Sequence, residues 1–448
     1  MIIKPRDVLV LGAGMAGLGA ARLLQDAGLR VTVIEARDRI GGRKHTSHLW
    51  PDLPVDTGAS WIHGTTDNPV AELAWQLGVK MTATTYQRSL TFNETGRLVD
   101  FLPAAGRARA TTKAARDRAD AFDHDVSLQT AIEGSAAWQA LPLIERRLQR
   151  LAINTQIEHE YSGDWSRLSA WHFDDGADLQ GDECVVTPGF GPITAHLATG
   201  LDLRLDNAVI AIAPTQDGVA VTTRHGIYWA DCVVITLPLG VLKSGSIHFA
   251  EPLAPSRQRA IGRLEMGLLN KCALRFDRAF WPADIDWIDY LGPTENLWAD
   301  WTSYLPATGQ PLLAGFNAAR VADEVEALDD SATTASAMAA LRSMLGASVP
   351  DPIGSQISRW RQDPFALGSY SFVAVGTSGA DRKALFGADW DGRLHFAGEA
   401  ASQKHAATVH GALMTGRKTA VSIISRSRRG RPMARPHRKW VNRDGRMP

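Results

Sequence analysis

The sequence predicts a mixed α/β fold on three observations. Residues 7–35 read as a short apolar strand, a helix and a second, β-branched strand. Strand patterns of the same kind return far downstream, in "ADCVVITLPLG" at 230–240 and "LHFAGE" at 394–399. Ala-rich stretches with Leu and Ile at helical spacing occupy 104–153 and 318–346. Strands alternating with helices in this way pack as layers around a sheet. At 448 residues the chain is longer than one core organises, so two or three domains are expected.

The first strand, "DVLVLG" at 7–12, carries an apolar run from Val8 to Leu11 ending in glycine, as expected of a parallel strand covered on both faces. Met15 to Ala27 follows with helical periodicity, and Gly28 supplies the stop. The next strand, "RVTVIE" at 30–35, ends in Glu35. Between strand and helix the chain reads Gly12, Ala13, Gly14, Met15, Ala16, Gly17. Gly12 permits the tight turn, Gly14 lets backbone approach a pyrophosphate, and Gly17 lets the helix close on the strand; the helix N-terminus offers N–H groups to the anion. Glu35 is placed to accept from a ribose hydroxyl pair. The motif lies in the strand–helix–strand frame it needs, which predicts a dinucleotide site. "EARDRIGGR" then adds Ala36, Arg37, Gly41, Gly42 and Arg43, a second close backbone approach with a fixed cation for the diphosphate.

Lys plus Arg (48) equals Asp plus Glu (48), so net charge offers no case for nucleic acid or an anionic membrane as partner. The exception is 426–448, whose charge is almost all Arg or Lys and which reads as a solvated, flexible tail. Cys184, Cys232 and Cys272 are too scattered for a disulfide framework or a zinc site and fit buried thiols in a reducing compartment. The N-terminus passes directly into the first strand, without an apolar stretch long enough for a signal peptide or a membrane span. A cytoplasmic protein is expected; monomer and homodimer are both left open.

The "EARDRIGGR" segment resembles that of FAD-dependent, glutathione-reductase-like flavoproteins, in particular the flavin amine oxidases. Further segments extend the resemblance from about residue 7 to about 425: "VDTGASWIHG" at 55–64, "ADCVVITLPLGVLKSGSIHFAEPL" at 230–253, "MGLLNKCALRFDRAFWP" at 266–282, and "SRWRQDPFALGSYSF" at 358–372 together with "LHFAGEAASQKHAATVHGALMTGRKTA" at 394–420. They are more similar to polyamine oxidases and to the catalytic domain of the flavin-dependent histone lysine demethylase than to monoamine oxidases. The demethylase's N-terminal helical module and inserted helical hairpin are not expected, and a free-standing amine oxidase is. The resemblance implies a discontinuous FAD-binding Rossmann domain from 1–80, 184–265 and 355–425, and a substrate-binding domain of mixed sheet flanked by helices from 81–183 and 266–354.

Site residues follow from the same resemblance. Gly58, Ala59, Ser60 and Trp61 would pass along the flavin ring, Val209 would hold the adenine through its backbone, and Gly398 and Glu399 would face the ribityl chain or diphosphate. Thr408 and Val409 open a helix whose positive end would face the flavin N1 side. Lys271, an ammonium inside an apolar strand, corresponds to the lysine that reaches flavin N5 through a water. Trp360 and Tyr370 would line the cavity before the flavin. Thr408 replaces the second cage aromatic and suggests a wider site, which His405, expected on an exposed loop, would partly fill. His63 would position or tune the reacting nitrogen. Ser369 stands where monoamine oxidases carry the flavin-linking cysteine, which implies non-covalent FAD. Glu158, Glu160 and the run Asp174 to Glu183 are candidate carboxylates for the cavity mouth. No metal is expected.

The implied reaction is hydride transfer from the α-carbon of an amine, such as spermine or spermidine, to flavin N5. The imine hydrolyses to an aldehyde and an amine, and O2 becomes H2O2. Oxidation of a monoamine, an L-amino acid or an N-methyl-lysine is the nearest alternative; an amino acid would need Arg88, Arg97 or Arg361 for its carboxylate. A flavin-binding desaturase, isomerase or non-catalytic flavoprotein is the alternative of another class.

Overall fold

The computed structural model describes residues 6–429. Its first sheet has six strands in the order Gly387–Asp389, Leu394–Phe396, Cys232–Ile235, Asp7–Leu11, Arg30–Ile34, Asp202–Arg204. All neighbours are parallel except Gly387–Asp389 against Leu394–Phe396. Alternate residues of Asp7–Leu11 explain the layers. Val8 and Val10 face a helical layer with Leu18, Leu24 and Leu413, while Leu9 and Leu11 face the opposite layer with Ile212 and Val221. That opposite layer is a four-stranded sheet containing Val209–Pro214.

In the helical layer, Met15–Asp26 lies against the last helix, Val409–Arg429, and small residues set how close they come. A Cβ at Gly416 would stand 2.0 Å from the Ala16 carbonyl oxygen. The expected start of the tail at 426 is corrected, because the helix continues through Arg429. Arg is a good helix former, and Ser427 is buried with its Oγ bonded to the Ile424 carbonyl oxygen at 2.8 Å. The remainder of the expected tail lies outside the described residues.

The second large sheet runs Gly354–Ile357, Leu269–Arg275, Leu312–Ala318, Asp300–Ser303, Trp287–Leu291, Ser89–Asn93. Its neighbours are antiparallel except the last pair. One face, with Cys272, Leu274, Ile288 and Leu313, packs on Met338 and Leu341 of the helix Asp330–Leu345. The other face carries Lys271, Ala273, Trp287 and Phe316. The helical stretches expected at 104–153 and 318–346 resolve into shorter helices, among them Leu102–Ala119, Leu143–Ile153 and Ala319–Glu326.

Candidate active site

One cavity of about 1250 Å³ runs from the carboxyl ends of the parallel strands to the second sheet. It exceeds the roughly 300–1,000 Å³ of an ordinary small-molecule pocket and so has room for a dinucleotide and a substrate together. Its first half is walled by backbone. Gly14 is the N-cap of Met15–Asp26 and offers no side-chain cap, and a Cβ there would meet nothing within 4 Å. At Gly17 a Cβ would lie 1.9 Å from the Gly12 carbonyl oxygen, so only glycine lets the helix start so close to the strand. Glu35 is buried, and its carboxylate accepts from the Ala13 N–H at 2.8 Å and the Arg37 N–H at 3.0 Å. Arg37 is held by Asp363 at 2.6 Å. Met15, Ala16, Ala36, Gly41, Gly42 and Val209 line the same half.

Where the halves meet, Arg43 donates to Glu399 at 2.8 Å and to the Ser369 carbonyl oxygen at 2.9 Å. The other Glu399 oxygen accepts from Ser371 Oγ at 2.7 Å and from the Ala407 N–H at 3.2 Å. Ser371 is in turn held by the buried Arg382 at 2.6 Å. Burial alone would raise the Glu399 carboxyl, but the charges of Arg43 and Arg382 outweigh it and hold the group below its ordinary range. Gly398 precedes it with φ +139 and open space where a Cβ would be. Ser369 turns its hydroxyl to the Leu269 carbonyl oxygen at 2.8 Å.

Lys271 is buried in the second strand of the second sheet. Its ammonium donates to the Gly58 carbonyl oxygen at 2.5 Å, to the Asp56 carbonyl oxygen at 3.2 Å and to Ser60 Oγ. All three of its hydrogens are thus used on the turn that carries Ala59 and Trp61 past the cavity. Burial lowers Lys271 to about 8 against the pull of Asp56. The ammonium also stands 5.5 Å above the Trp61 ring and 5.7 Å from that of Phe316.

The second half is walled by side chains. Trp61 stacks on Trp287 at 5.5 Å, and Trp287 on Tyr86 at 4.7 Å. Trp360 and Tyr370 line the cavity, and the Tyr370 hydroxyl donates to the His159 carbonyl oxygen. Thr408 lines it too, but its Oγ1 caps the last helix by accepting from the Gly411 N–H at 2.9 Å; Val409 follows it. His405 is not on an exposed loop as expected: it is half-buried beside His410, with rings 5.1 Å apart, because its Nδ1 donates to the Ala177 carbonyl oxygen at 2.7 Å.

His63 meets Glu183 at 2.7 Å. Burial opposes its charge, but the Glu183 hydrogen bond and the carboxylates of Glu160 and Asp178 outweigh that and raise it to about 9. With its side chain 46% exposed and Glu183 beside it, His63 favours its charged form. Glu160, Asp175, Asp178 and Glu183 lie on the cavity. Glu158 does not: it is buried in an ion pair with Arg150 at 2.8 Å, because Trp165 and Asn154 also donate to it. Asp174 is paired with Arg116 at 2.6 Å. Neither Arg88, tied to Asp286 at 2.6 Å, nor Arg361, tied to Asp323 at 3.1 Å, lines the cavity, and Arg97 does not either; Arg109 does.

Sequence reasoning missed Trp287, Tyr86, Phe316, Asp289 and Asp300, all on the cavity wall. A readable signal existed for the last two. An acid in "WIDYL" or "WADW" is as anomalous in an apolar strand as Lys271 is.

A backbone cradle at the carboxyl ends of a parallel sheet, opening into an aromatic chamber, defines a dinucleotide-dependent enzyme. The profile described as "Flavin containing amine oxidoreductase" matches residues 15–424, and the chain belongs to that family of oxidoreductases. Polyamine oxidase 4 of Oryza sativa subsp. japonica is 36% identical over 92% of this chain and 87% of its own length. Polyamine oxidase 2 of Arabidopsis thaliana is 35% identical over 93% of this chain and 87% of its own length. Lysine-specific histone demethylase 1 homolog 1 of Arabidopsis thaliana is 34% identical over 95% of this chain, which spans 53% of that relative. Membership implies a flavin, and the residues present fit one: open space at Gly14 and Gly398, an uncapped helix start, and Arg43 between them. Among the described residues no acid, histidine or cysteine group is arranged to hold a metal, and no helix is long and apolar enough to cross a membrane.

Proposed function

We propose that this chain oxidises an aliphatic amine carrying more than one cationic nitrogen, a polyamine being the best-supported substrate class, with non-covalently held FAD. The reading is carried by the continuity of one cavity: a backbone-walled nucleotide half opens into a chamber lined by Trp61, Trp287, Phe316 and Tyr370, with Glu160, Asp178 and Glu183 on its wall. Rings suit the aliphatic chain and cation faces, and the carboxylates suit ammonium groups. Bound FAD would supply the hydride acceptor and, with dioxygen, the return to the oxidised state that yields hydrogen peroxide.

The chain's own residues set the conditions for that chemistry. Gly12 to Gly17, Glu35 and Val209 hold the nucleotide end, and Arg43 with Glu399 fixes the junction. Lys271 pins the Gly58–Ser60 turn, and taking up a water for the oxygen-linked step requires it to release one of its three acceptors. Tyr370, Trp360 and Trp61 exclude water and align the α-carbon. The reacting amine must be neutral when its C–H bond breaks, so flavin reduction is expected to accelerate as pH rises through the substrate's pKa in the complex. We assign 1–80, 184–265 and 355–425 to the FAD-binding part and 81–183 with 266–354 to the substrate part. Three buried free cysteines support a cytoplasmic setting. An L-amino acid fits less well, since two of the three arginines proposed for its carboxylate are committed to aspartates away from the cavity.

The test is anaerobic mixing of the holoenzyme with spermine, spermidine, putrescine, phenylethylamine, L-amino acids and an N-methyl-lysine peptide, following loss of flavin absorbance near its yellow band. Polyamines should bleach it fastest. Bleaching only by another member moves the substrate assignment there, and no bleaching by any of them defeats the amine oxidase reading. Acid precipitation should leave yellow FAD in the supernatant; a yellow pellet would overturn non-covalent binding.

A further inference from the structure

Five residues from five adjacent strands of the second sheet stand in one cross-strand row. Lys271 pairs with Phe316, Phe316 with Asp300, Asp300 with Asp289, and Asp289 with Thr91. Directly paired residues point to the same face, and for this row it is the face that walls the cavity. Strands lie about 4.8 Å apart, so Asp300 and Asp289 stand about 10 and about 14 Å from Lys271 along the row.

Two carboxylates side by side and buried are costly unless something compensates them. Both residues are only 2% exposed. Asp289 accepts from Thr91 Oγ1 at 3.1 Å through one oxygen, and Asp300 meets His159 Nδ1 at 3.4 Å through one oxygen. The other oxygen of each, and Nε2 of His159, have no partner. Burial and the charge of Asp300 push the Asp289 carboxyl well above its ordinary range. The stack Tyr86, Trp287, Trp61 runs beside the row, giving an apolar rail that ends at the ring under the Lys271 ammonium.

We propose that Asp289 and Asp300 form a deep ammonium subsite for the remote cationic nitrogen of an α,ω-diamine or longer polyamine, whose aliphatic chain lies along the Tyr86–Trp287–Trp61 stack. This deepens the function proposed above and rests on it. The two unpartnered carboxylate oxygens accept from the ammonium, the rings cover its methylenes, and the span to Lys271 selects chain length. The same cavity wall also carries Glu160, Asp178 and Glu183, so further carboxylates are available to a substrate's other ammonium groups.

The test compares α,ω-diaminoalkanes with n-alkylamines of equal carbon number, reading Kd from anaerobic flavin reduction. In the wild-type holoenzyme the diamine is expected to bind at least about tenfold tighter at the best length, as a charge-assisted pair in a desolvated site provides. Asp289→Asn and Asp300→Asn should each collapse that ratio towards one. Glu324→Gln, on the exposed helix Ala319–Glu326, should keep it. Both Asn variants should also unfold at a temperature no lower than wild type, since each replaces one of two carboxyl groups buried side by side with a neutral amide; a lower melting temperature marks a purely structural pair and overturns the subsite. A ratio preserved in the variants, or absent from the wild type, overturns it as well. If a variant does not fold, the wild-type length series decides: a ratio that peaks at one length supports the subsite and a flat one defeats it. If neither amine series reduces the flavin, these primary amines are not substrates, which bears on the function proposed above and not on the subsite. Calorimetric binding of the same two series to the oxidised holoenzyme then decides the subsite on the same ratio.

Discussion

The two halves of the cavity are built from different materials. The nucleotide half is walled by backbone, where Gly14 and Gly398 leave room for a ligand and Gly17 and Gly58 let chain segments touch. The chamber half is walled by side chains from strands of the second sheet, set beside one another by register. An atom added to a backbone wall either strikes another backbone segment, as at Gly17 and Gly58, or takes space left for the ligand, as at Gly14 and Gly398. Side-chain walls can change composition at similar volume, and with it the molecule they accept. The first half therefore suits the flavin that the family implies, and the second is where the proposed function places specificity.

The largest test of this contrast is Gly17→Val. Its side chain would enter the Gly12 carbonyl, so the protein should purify without flavin absorbance. A yellow Gly17→Val protein would show that the cradle can relax and would remove the contrast. Next comes Glu399→Gln, which leaves Arg43 and Arg382 without their shared carboxylate. Breaking a buried ion pair this way costs about 3–5 kcal/mol, to be read in chemical denaturation, with weaker FAD retention.

A pH test follows at Lys44, which is buried at the cradle with its ammonium unpartnered. Burial lowers it to about 7 from 10.5, against the pull of Asp56. Because the unfolded chain holds this proton more tightly, the penalty is full below pH 7 and fades as pH rises to 10.5. Thermal unfolding should show wild type gaining a few kcal/mol on Lys44→Met across that window. Parallel profiles would mean that the ammonium is solvated. The smallest expected effect is at Thr408→Ala, which removes the cap of the last helix at the seam of the two halves. About 1 kcal/mol of stability should be lost. Amine Kd changing more than stability would instead make Thr408 a substrate contact.

The same contrast explains what could be read in advance. Gly12 to Glu35 form a local unit whose strand, turn, helix and acid lie within a few tens of residues, so their spacing carries the geometry. Lys271 stood out because an ammonium in an apolar strand needs partners, yet the partners, Asp56, Gly58 and Ser60, lie more than two hundred residues away. His63 was legible as a site residue but not as a cation, because Glu183 and Glu160 come from distant segments. Glu158 looked like its neighbour Glu160, and only the fold sends one to Arg150 and the other to the cavity.

What the sequence alone determined is the cradle and the family that uses it, because turn and helix geometry follow from residues adjacent in the chain. What only the tertiary structure decided is the row from Thr91 to Lys271. Side chains on five strands share a face only once the strands are paired in register, and no local pattern encodes that pairing.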